Sequence, residues 1–492
     1  MMDNDSMTRR KFLSASGLAG GWLAAGTPRP ASGSPEWSLE KPPADQDPPV
    51  TRELARWLVG SRPADIPQAA RKEAVRSVLN WVGCAVGGSH HETVDRALAA
   101  LSPFSGPPQA TVLGRADRLD ILHAALMNGI SSHVLDYDDT HLKTIIHPAG
   151  PVASAILSLA ERQPVTGADF VQAFVLGVEA ECRIGRAVYP WHYDAGWHIT
   201  GTAGVFGAAA AAGKLLGLSE QQMTWALGIA ATQSSGFREM FGTMCKPFHP
   251  GRAAQNGLSS ALLAARNFTS SEKGIEAPRS FAYVMSPKRD LGVLTHGLGQ
   301  TWEISANTYK PFACGIVIHP IIDGCIQLRN EHKLTAEGIQ RIDLRVNPLV
   351  LELTGKQTPA TGLEGKFSVY HASAAAIIRG AGGEQEFSDA LVRDPAVVAL
   401  RGRVTATPDP GVREDEAYVT VFLQDGRRLD RHIAHAIGSL ERPMSDRDLE
   451  AKFLGLSRGI LSAGQAEKLI ALCWSIQDLQ EVGELARASV PA

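Results

Sequence analysis

The sequence predicts a mainly α protein with an inserted α+β domain: a large all-helical domain formed from the N- and C-terminal segments, plus a smaller lid domain. Three observations carry this. Apolar residues recur at three- and four-residue spacing through residues 50–306. After about Asn307 that spacing gives way to alternation, and from Ser445 the helical spacing returns. The composition agrees, since 492 residues that are 44% apolar and 20% charged describe a folded chain with room for two or three cores. Aromatics are only 6% while Gly numbers 48, so small side chains on close-packed helices are expected to build the core. A net charge of −3 excludes an electrostatically driven nucleic-acid binder. No apolar run reaches the roughly 18 residues of a stable membrane span.

Taken in order, residues 1–35 resemble a twin-arginine signal peptide. Arg9-Arg10-Lys11-Phe12-Leu13 precedes a short Gly/Ala-rich stretch and then Thr27-Pro28. That resemblance implies the twin-arginine export machinery as a partner and a periplasmic location. Residues 36–49 are Pro- and Asp-rich and read as a linker. Helices are then expected at Glu73–Val86, Asp120–Leu135, Val152–Arg162, Gly167–Val188, Gly201–Leu216, Ser219–Ser234 and Arg252–Asn267, with Ser219 as an N-cap. The run Gly204–Gly213 is nearly all Gly and Ala, so it is expected to pack backbone-close against another helix or subunit.

Residues 307–444 form the expected α+β lid. Ile342, Leu344 and Val346 alternate with polar residues, as do Val404 and Ala406, and Tyr418–Leu423 runs through Asp425-Gly426 into Leu429, His432 and Ile433 as a hairpin. Residues 445–492 return to the helical domain, with Ser445 capping a helix to Leu454 and one long amphipathic helix over Gly464–Arg487. The six cysteines show no CxxC pairing and are expected to be free and mostly buried.

One segment concentrates chemistry: Asp136-Tyr137-Asp138-Asp139-Thr140-His141, then Lys143 and His147-Pro148-Ala149-Gly150. Three carboxylates this close repel, so one should keep its proton unless a cation or metal is near. A divalent-metal site, a proton-donating Asp and a set of structural caps are all open readings. Further segments are Gly196-Trp197-His198-Ile199-Thr200, Lys246-Pro247-Phe248-His249-Pro250-Gly251-Arg252, Tyr309-Lys310-Pro311-Phe312-Ala313-Cys314 and Lys366-Phe367-Ser368-Val369-Tyr370-His371. A single loop Lys or His is usually a solvated surface residue. Together these supply cations and proton-transfer groups, three of them at helix starts, suited to binding a small-molecule carboxylic acid and moving a proton beside its carboxylate.

In this order the motifs DYDDTH…HPAG, GWHITGT, KPFHPGRAAQNG, KPFACGIVIHP and KFSVY closely resemble the MmgE/PrpD family over roughly residues 50–480. That family includes 2-methylcitrate dehydratases, cis-aconitate decarboxylases and iminodisuccinate epimerases. The resemblance implies a helical domain with an inserted lid, a homodimer, and catalysis without a metal or organic cofactor. Carried over by motif, it implies catalytic roles for His147, His198, Tyr370 and Asp136, and substrate binding by Thr140, Lys246 and Lys310. His147 and His198 would be the acid/base groups, Lys246 and Lys310 the carboxylate clamps, Asp136 the organiser, Thr140 a hydrogen-bond donor, and Tyr370 a proton or hydrogen-bond donor from the lid.

One departure bears on the reaction: some decarboxylase members carry a histidine shortly after the fourth motif's lysine, where this chain has Cys314-Gly315. The expected function is therefore a cofactor-independent, dehydratase-like lyase acting on a di- or tricarboxylic acid by proton transfer alpha to a carboxylate. Epimerase or isomerase chemistry and a non-catalytic periplasmic carboxylate binder are the alternatives. DxDD is also the acid motif of class II terpene cyclases, but a carbocation site needs many aromatics, and this chain has few.

Overall fold

The computed structural model describes residues 47–492; the signal-peptide reading and linker residues 36–46 lie outside the described residues. The protein is mainly helical with small sheets. Helix ends follow the capping residues. Asp120 accepts hydrogen bonds from the Leu122 and His123 amides at the start of Ile121–Val134. Ser219 forms a capping box with Gln222 ahead of Glu220–Ala231, and Ser445 forms one with Asp448 ahead of Asp446–Ser457.

At the centre lie helices with almost nothing large to show solvent. All twelve residues of Ala149–Ala160 are buried, as is Ile199–Leu215 through Gly213. Small residues let these helices meet at backbone distance. A Cβ on Gly257 would stand 2.4 Å from that of Ala208, and one on Gly129 would stand 2.4 Å from the Gly251 Cα. The Gly/Ala run is therefore a packing surface inside this chain.

One apolar core draws on residues between Ile66 and Ala261 and again between Met444 and Ala486, with Ile304 and Tyr309 added. A second draws only on residues between Phe312 and Leu423. Its sheet runs in the order Val404–Pro408, Ile339–Val346, Ala417–Leu423, Arg428–Ile433, with the first pair parallel and the others antiparallel. Val421 faces Leu429 across the hairpin, and Gly426 takes φ 89° in its turn. The helices His319–His332 and Val369–Arg379 supply apolar side chains to the same core.

Two expectations about elements change. The proposed Gly464–Arg487 helix is broken into Ala463–Trp474, a 3₁₀ turn at Ile476–Asp478, and Gly483–Ala488. Tertiary hydrogen bonds override the periodicity there: the Leu479 carbonyl accepts from the Gly167 amide, and the Val482 amide donates to the Val165 carbonyl. The helix expected from Arg252 begins at Cys245, so Lys246-Pro247-Phe248-His249 forms its first turns rather than a preceding loop. Pro247 sits where no intrahelical donor is needed, and Pro250 forfeits a single bond.

The described cysteines are free, five of them buried and Cys245 exposed. Among the described residues no helix is long and apolar enough to cross a membrane.

Candidate active site

The site is assembled by a short pairing that no periodicity announces. Asp139–His141 runs antiparallel to Asn307–Tyr309, with Asp139 opposite Tyr309 and His141 opposite Asn307. This brings Lys310 back over the loop that follows Ile121–Val134. In that loop Asp136 takes φ 50°, a left-handed conformation that a short polar side chain tolerates. Asp136 Oδ1 accepts from Lys310 Nζ at 2.5 Å and from Lys246 Nζ at 3.1 Å, all three side chains being buried. Burial pushes the Asp136 carboxyl up, but the two ammonium groups overrule it and hold the carboxyl well below its usual range. Their own responses differ. Burial lowers Lys246, while at Lys310 the attraction of Asp136 and Asp138 outweighs burial and raises it.

The other two carboxylates have separate surroundings. Asp138 Oδ2 lies 2.6 Å from His133 Nδ1; burial pushes its carboxyl up, but the His133 and His147 rings bring it below the usual value. Asp139 accepts from Ser77 at 2.7 Å and Asn307 at 2.8 Å, with no ion pair to a cation among the described residues. Burial first and the Asp138 charge second raise it to about 7. The crowding expected of this segment is thus relieved by two lysine cations at Asp136, by the His133 imidazole at Asp138 and by proton retention at Asp139. His141 turns away to Thr144 and Glu303.

Three histidines converge on the loop. His147 Nδ1 is 2.7 Å from the Asp139 carbonyl, an atom that can only accept, so Nδ1 carries the hydrogen and Nε2 keeps a lone pair. Thr140 Oγ1 stands 3.3 Å from the same Nδ1. His133 Nε2 faces Lys246 Nζ at 2.9 Å. His198, which precedes Ile199–Leu215, pairs Nδ1 to Nδ1 with His249 at 2.8 Å. Burial drives His147 and His198 well below the ordinary imidazole value and His249 to about 4, so these rings are neutral near pH 7. Nitrogens of His133, His147 and His198 come within 4.8 Å of one another, a spacing a metal ion could bridge. However, the Lys246 ammonium already occupies the His133 Nε2 side, and the Nδ1 atoms of His147 and His198 are committed. The donor set suits proton transfer better than metal binding.

These groups line a tight cavity of ≈ 30 Å³, far below the about 300–1,000 Å³ of small-molecule sites, so the surrounding side chains must part to admit an organic acid. Asp136, His147, His198, Lys246 and Lys310 line it, joined by Tyr193 and Phe241. The rest of the lining includes Gly315-Ile316-Val317 with Leu353, Thr354 and Phe367. Thr140 supports His147 from behind. Tyr370 is not among the lining residues: it is half-buried and packs against the second apolar core, in the first turn of Val369–Arg379, while Phe367 lies in the turn before that helix. The tyrosine that does face the cavity is Tyr193, on the short helix Trp191–Asp194.

Sequence reasoning also missed His133, although its place three residues before Asp136, on the last turn of the same helix, was a usable signal. Two further buried lysines act as braces. Lys366 Nζ donates to the carbonyls of Leu135 at 2.7 Å and Ala313 at 2.8 Å, and Lys452 Nζ reaches the carbonyls of Tyr137 at 2.5 Å and Lys310 at 2.9 Å. Burial lowers each to about 8.

A mainly helical chain that sets two buried lysines and a group of neutral histidines around one cavity has the equipment of an enzyme acting on carboxylic acids. Residues 52–294 match the MmgE/PrpD N-terminal domain and residues 312–476 the MmgE/PrpD C-terminal domain, and the chain belongs to the MmgE/PrpD family. It is 27% identical over 457 residues to human cis-aconitate decarboxylase, covering 89% of this chain and 93% of that protein. It is 26% identical over 466 residues to the cis-aconitate decarboxylase-like protein oryM of Aspergillus oryzae, covering 89% and 96%. With cis-aconitate decarboxylase of Aspergillus terreus the identity is 25% over 473 residues, covering 89% and 95%. These relatives correct one expectation. They come from fungi and a mammal, whose cells have no periplasm, so the periplasmic location inferred from the leader is overturned.

Proposed function

We propose that the protein is a lyase that acts on a small di- or tricarboxylic acid by moving a proton alpha to a carboxylate. One observation carries the reading: Lys246 and Lys310, both tied to Asp136, face the same cavity as His147, whose Nε2 is available to accept a proton. The ammonium groups bind substrate carboxylate and stabilise the enolate-like charge that develops as the proton leaves. His147 Nε2 takes that proton, and Thr140 and the Asp139 carbonyl hold the ring in the accepting tautomer. His198 serves the leaving group from the neighbouring wall. Residues 307–444 act as the lid, with the apolar Ile316, Val317, Leu353 and Phe367 excluding water from the charged side.

Loss of water is the first reading of the reaction, supported by Gly315. It lines the cavity at the place where the decarboxylase resemblance calls for histidine, and a Cβ there would meet Thr354 at 3.1 Å. Loss of carbon dioxide is the second, supported by the cis-aconitate decarboxylases among the relatives. The test is turnover of a panel holding 2-methylcitrate, citrate and cis-aconitate, followed by NMR for alkene formation and by released carbon dioxide. Turnover of a panel acid that is lost in His147→Gln supports the lyase reading; wild-type rates in His147→Gln would reject it.

A further inference from the structure

We propose that His249 is a positioning residue that stores a proton for His198, taken up when the anionic substrate binds and returned through His198 to the leaving group. This rests on the lyase reading above. The geometry separates His198 from its neighbours. The inner nitrogen of His147 faces a carbonyl, which can only accept, and that of His133 faces a carboxylate. The inner nitrogen of His198 faces another imidazole nitrogen at 2.8 Å, a group that can both give and take.

In the neutral pair, His198 donates from Nδ1 to the His249 Nδ1 lone pair, His249 carries its hydrogen on Nε2, and His198 Nε2 faces the cavity with a lone pair. A proton arriving at His198 Nε2 sends the Nδ1 proton across to His249. His249 is then the imidazolium, and His198 is neutral with Nε2–H towards the cavity. Giving that proton to a departing hydroxyl releases water and draws the Nδ1 proton back to His198. Only N–H and O–H bonds change in the pair. The electrons of the broken substrate C–H bond first stay on the carbon, beside the lysine ammonium groups, and then form the double bond as the C–O bond breaks.

The surroundings support storage rather than mere packing. His249 is 7% exposed. A Cβ at Gly201 would come 3.0 Å from its Cβ, and one at Gly236, where φ is 129°, would come 3.1 Å from its Cγ, so two glycines wall the ring in place. Lys246, His133 and His147 are the titratable groups that face the pair, and burial first and these groups second keep it uncharged. A bound polycarboxylate adds negative charge beside the pair and favours its protonated form.

Calorimetry of wild-type protein with tricarballylate, a tricarboxylate lacking a leaving group, in two buffers of different ionisation enthalpy measures proton uptake on binding. Uptake of about one proton is expected for wild type and near none for His249→Asn, whose amide keeps a hydrogen bond at the Nδ1 position but cannot take a proton. In the same variant kcat should fall by roughly 10–100-fold, with KM within about threefold and the alkaline limb of its pH profile moved to lower pH. Unchanged uptake and an unchanged pH profile would overturn the proposal. If tricarballylate does not bind wild type, or if His249→Asn does not fold, ¹⁵N NMR of histidine-labelled wild type decides. A Nδ1–H shared by His198 and His249 supports the pair, and its absence overturns the pair. Lack of turnover of every panel acid by wild type would instead count against the lyase reading.

Discussion

The two walls of the cavity are made of different material. The wall from residues 136–246 carries Asp136, His147, His198 and Lys246, while the wall from residues 315–367 presents Gly315, Ile316, Val317, Leu353, Thr354 and Phe367, with no titratable side chain. Lys310, at the seam, joins the charged side through Asp136. The difference teaches that one region of the chain holds the proton-transfer groups while the other shapes and dries the space around them. A low-polarity cover strengthens every interaction among the charges it encloses.

That division can be broken most severely at Asp136. Replacing it with Ala leaves two buried ammonium groups facing each other, and losing one partner of a buried ion pair costs about 3–5 kcal/mol. The expected result is a large drop in melting temperature together with loss of measurable turnover; Asp136→Ala retaining wild-type activity would end the charged-wall account. Next is His147→Gln, where removing a positioned acid/base group should lower kcat by roughly 10²–10⁴-fold with little change in melting temperature, read by steady-state kinetics.

Acid should also weaken the fold. Burial holds His249, His192 and His371 at about 4 and His319 at about 3, below an unfolded value of about 6.5. The unfolded chain therefore binds protons first. The stability from these rings is full above pH ~6.5 and is lost as pH falls towards their folded values, at up to ~1.4 kcal/mol per ring and pH unit. Asp139, raised to about 7, has the opposite sign: its contribution is present at low pH and is lost as pH rises from ~4 to 7. Glu179, raised to about 7, and Glu181, raised well above its usual value by burial, act in the same sense as Asp139, but His147 and His198 join the four rings on the other side. The rings outnumber the carboxyls, so the melting temperature measured at pH 5 should lie below that at pH 7.5.

Smaller effects belong to the second wall. Leu353→Ala should alter the preference among panel acids by roughly 10-fold, since apolar contacts discriminate by about 1–3 kcal/mol, while the pH profile stays fixed. Smallest of all is Tyr370→Phe. Because Tyr370 packs into the second core, kcat should change less than about twofold, whereas Tyr193→Phe should change it more; the reverse order in steady-state rates would return the catalytic tyrosine to the lid.

What was legible in the sequence divides along the same line. Local periodicity marks Gly167–Val188 and Ala417–Leu423 because each writes its burial pattern into consecutive residues. The lysines and histidines of the charged wall were legible through their motifs. The pairing of Asp139–His141 with Asn307–Tyr309 spans three residues on each side and joins segments about 168 residues apart, so no local pattern reports it. Tyr370 was misplaced for a related reason. A motif names a neighbourhood, but the turn ahead of Val369–Arg379 puts Phe367 into the cavity lining, while Tyr370, inside that helix, packs against the second core. Tyr193 and His133 lay in plain view yet matter only through contacts made far along the chain.

The most direct test of the central claim is deuterium incorporation at the carbon alpha to carboxylate when a panel acid is incubated in heavy water with wild type and with His147→Gln. Wild type should introduce solvent deuterium during turnover and His147→Gln should lose that exchange by about 10²-fold or more. Equal exchange in the two proteins would contradict the claim that His147, set beside the Asp136-anchored lysines, moves the proton.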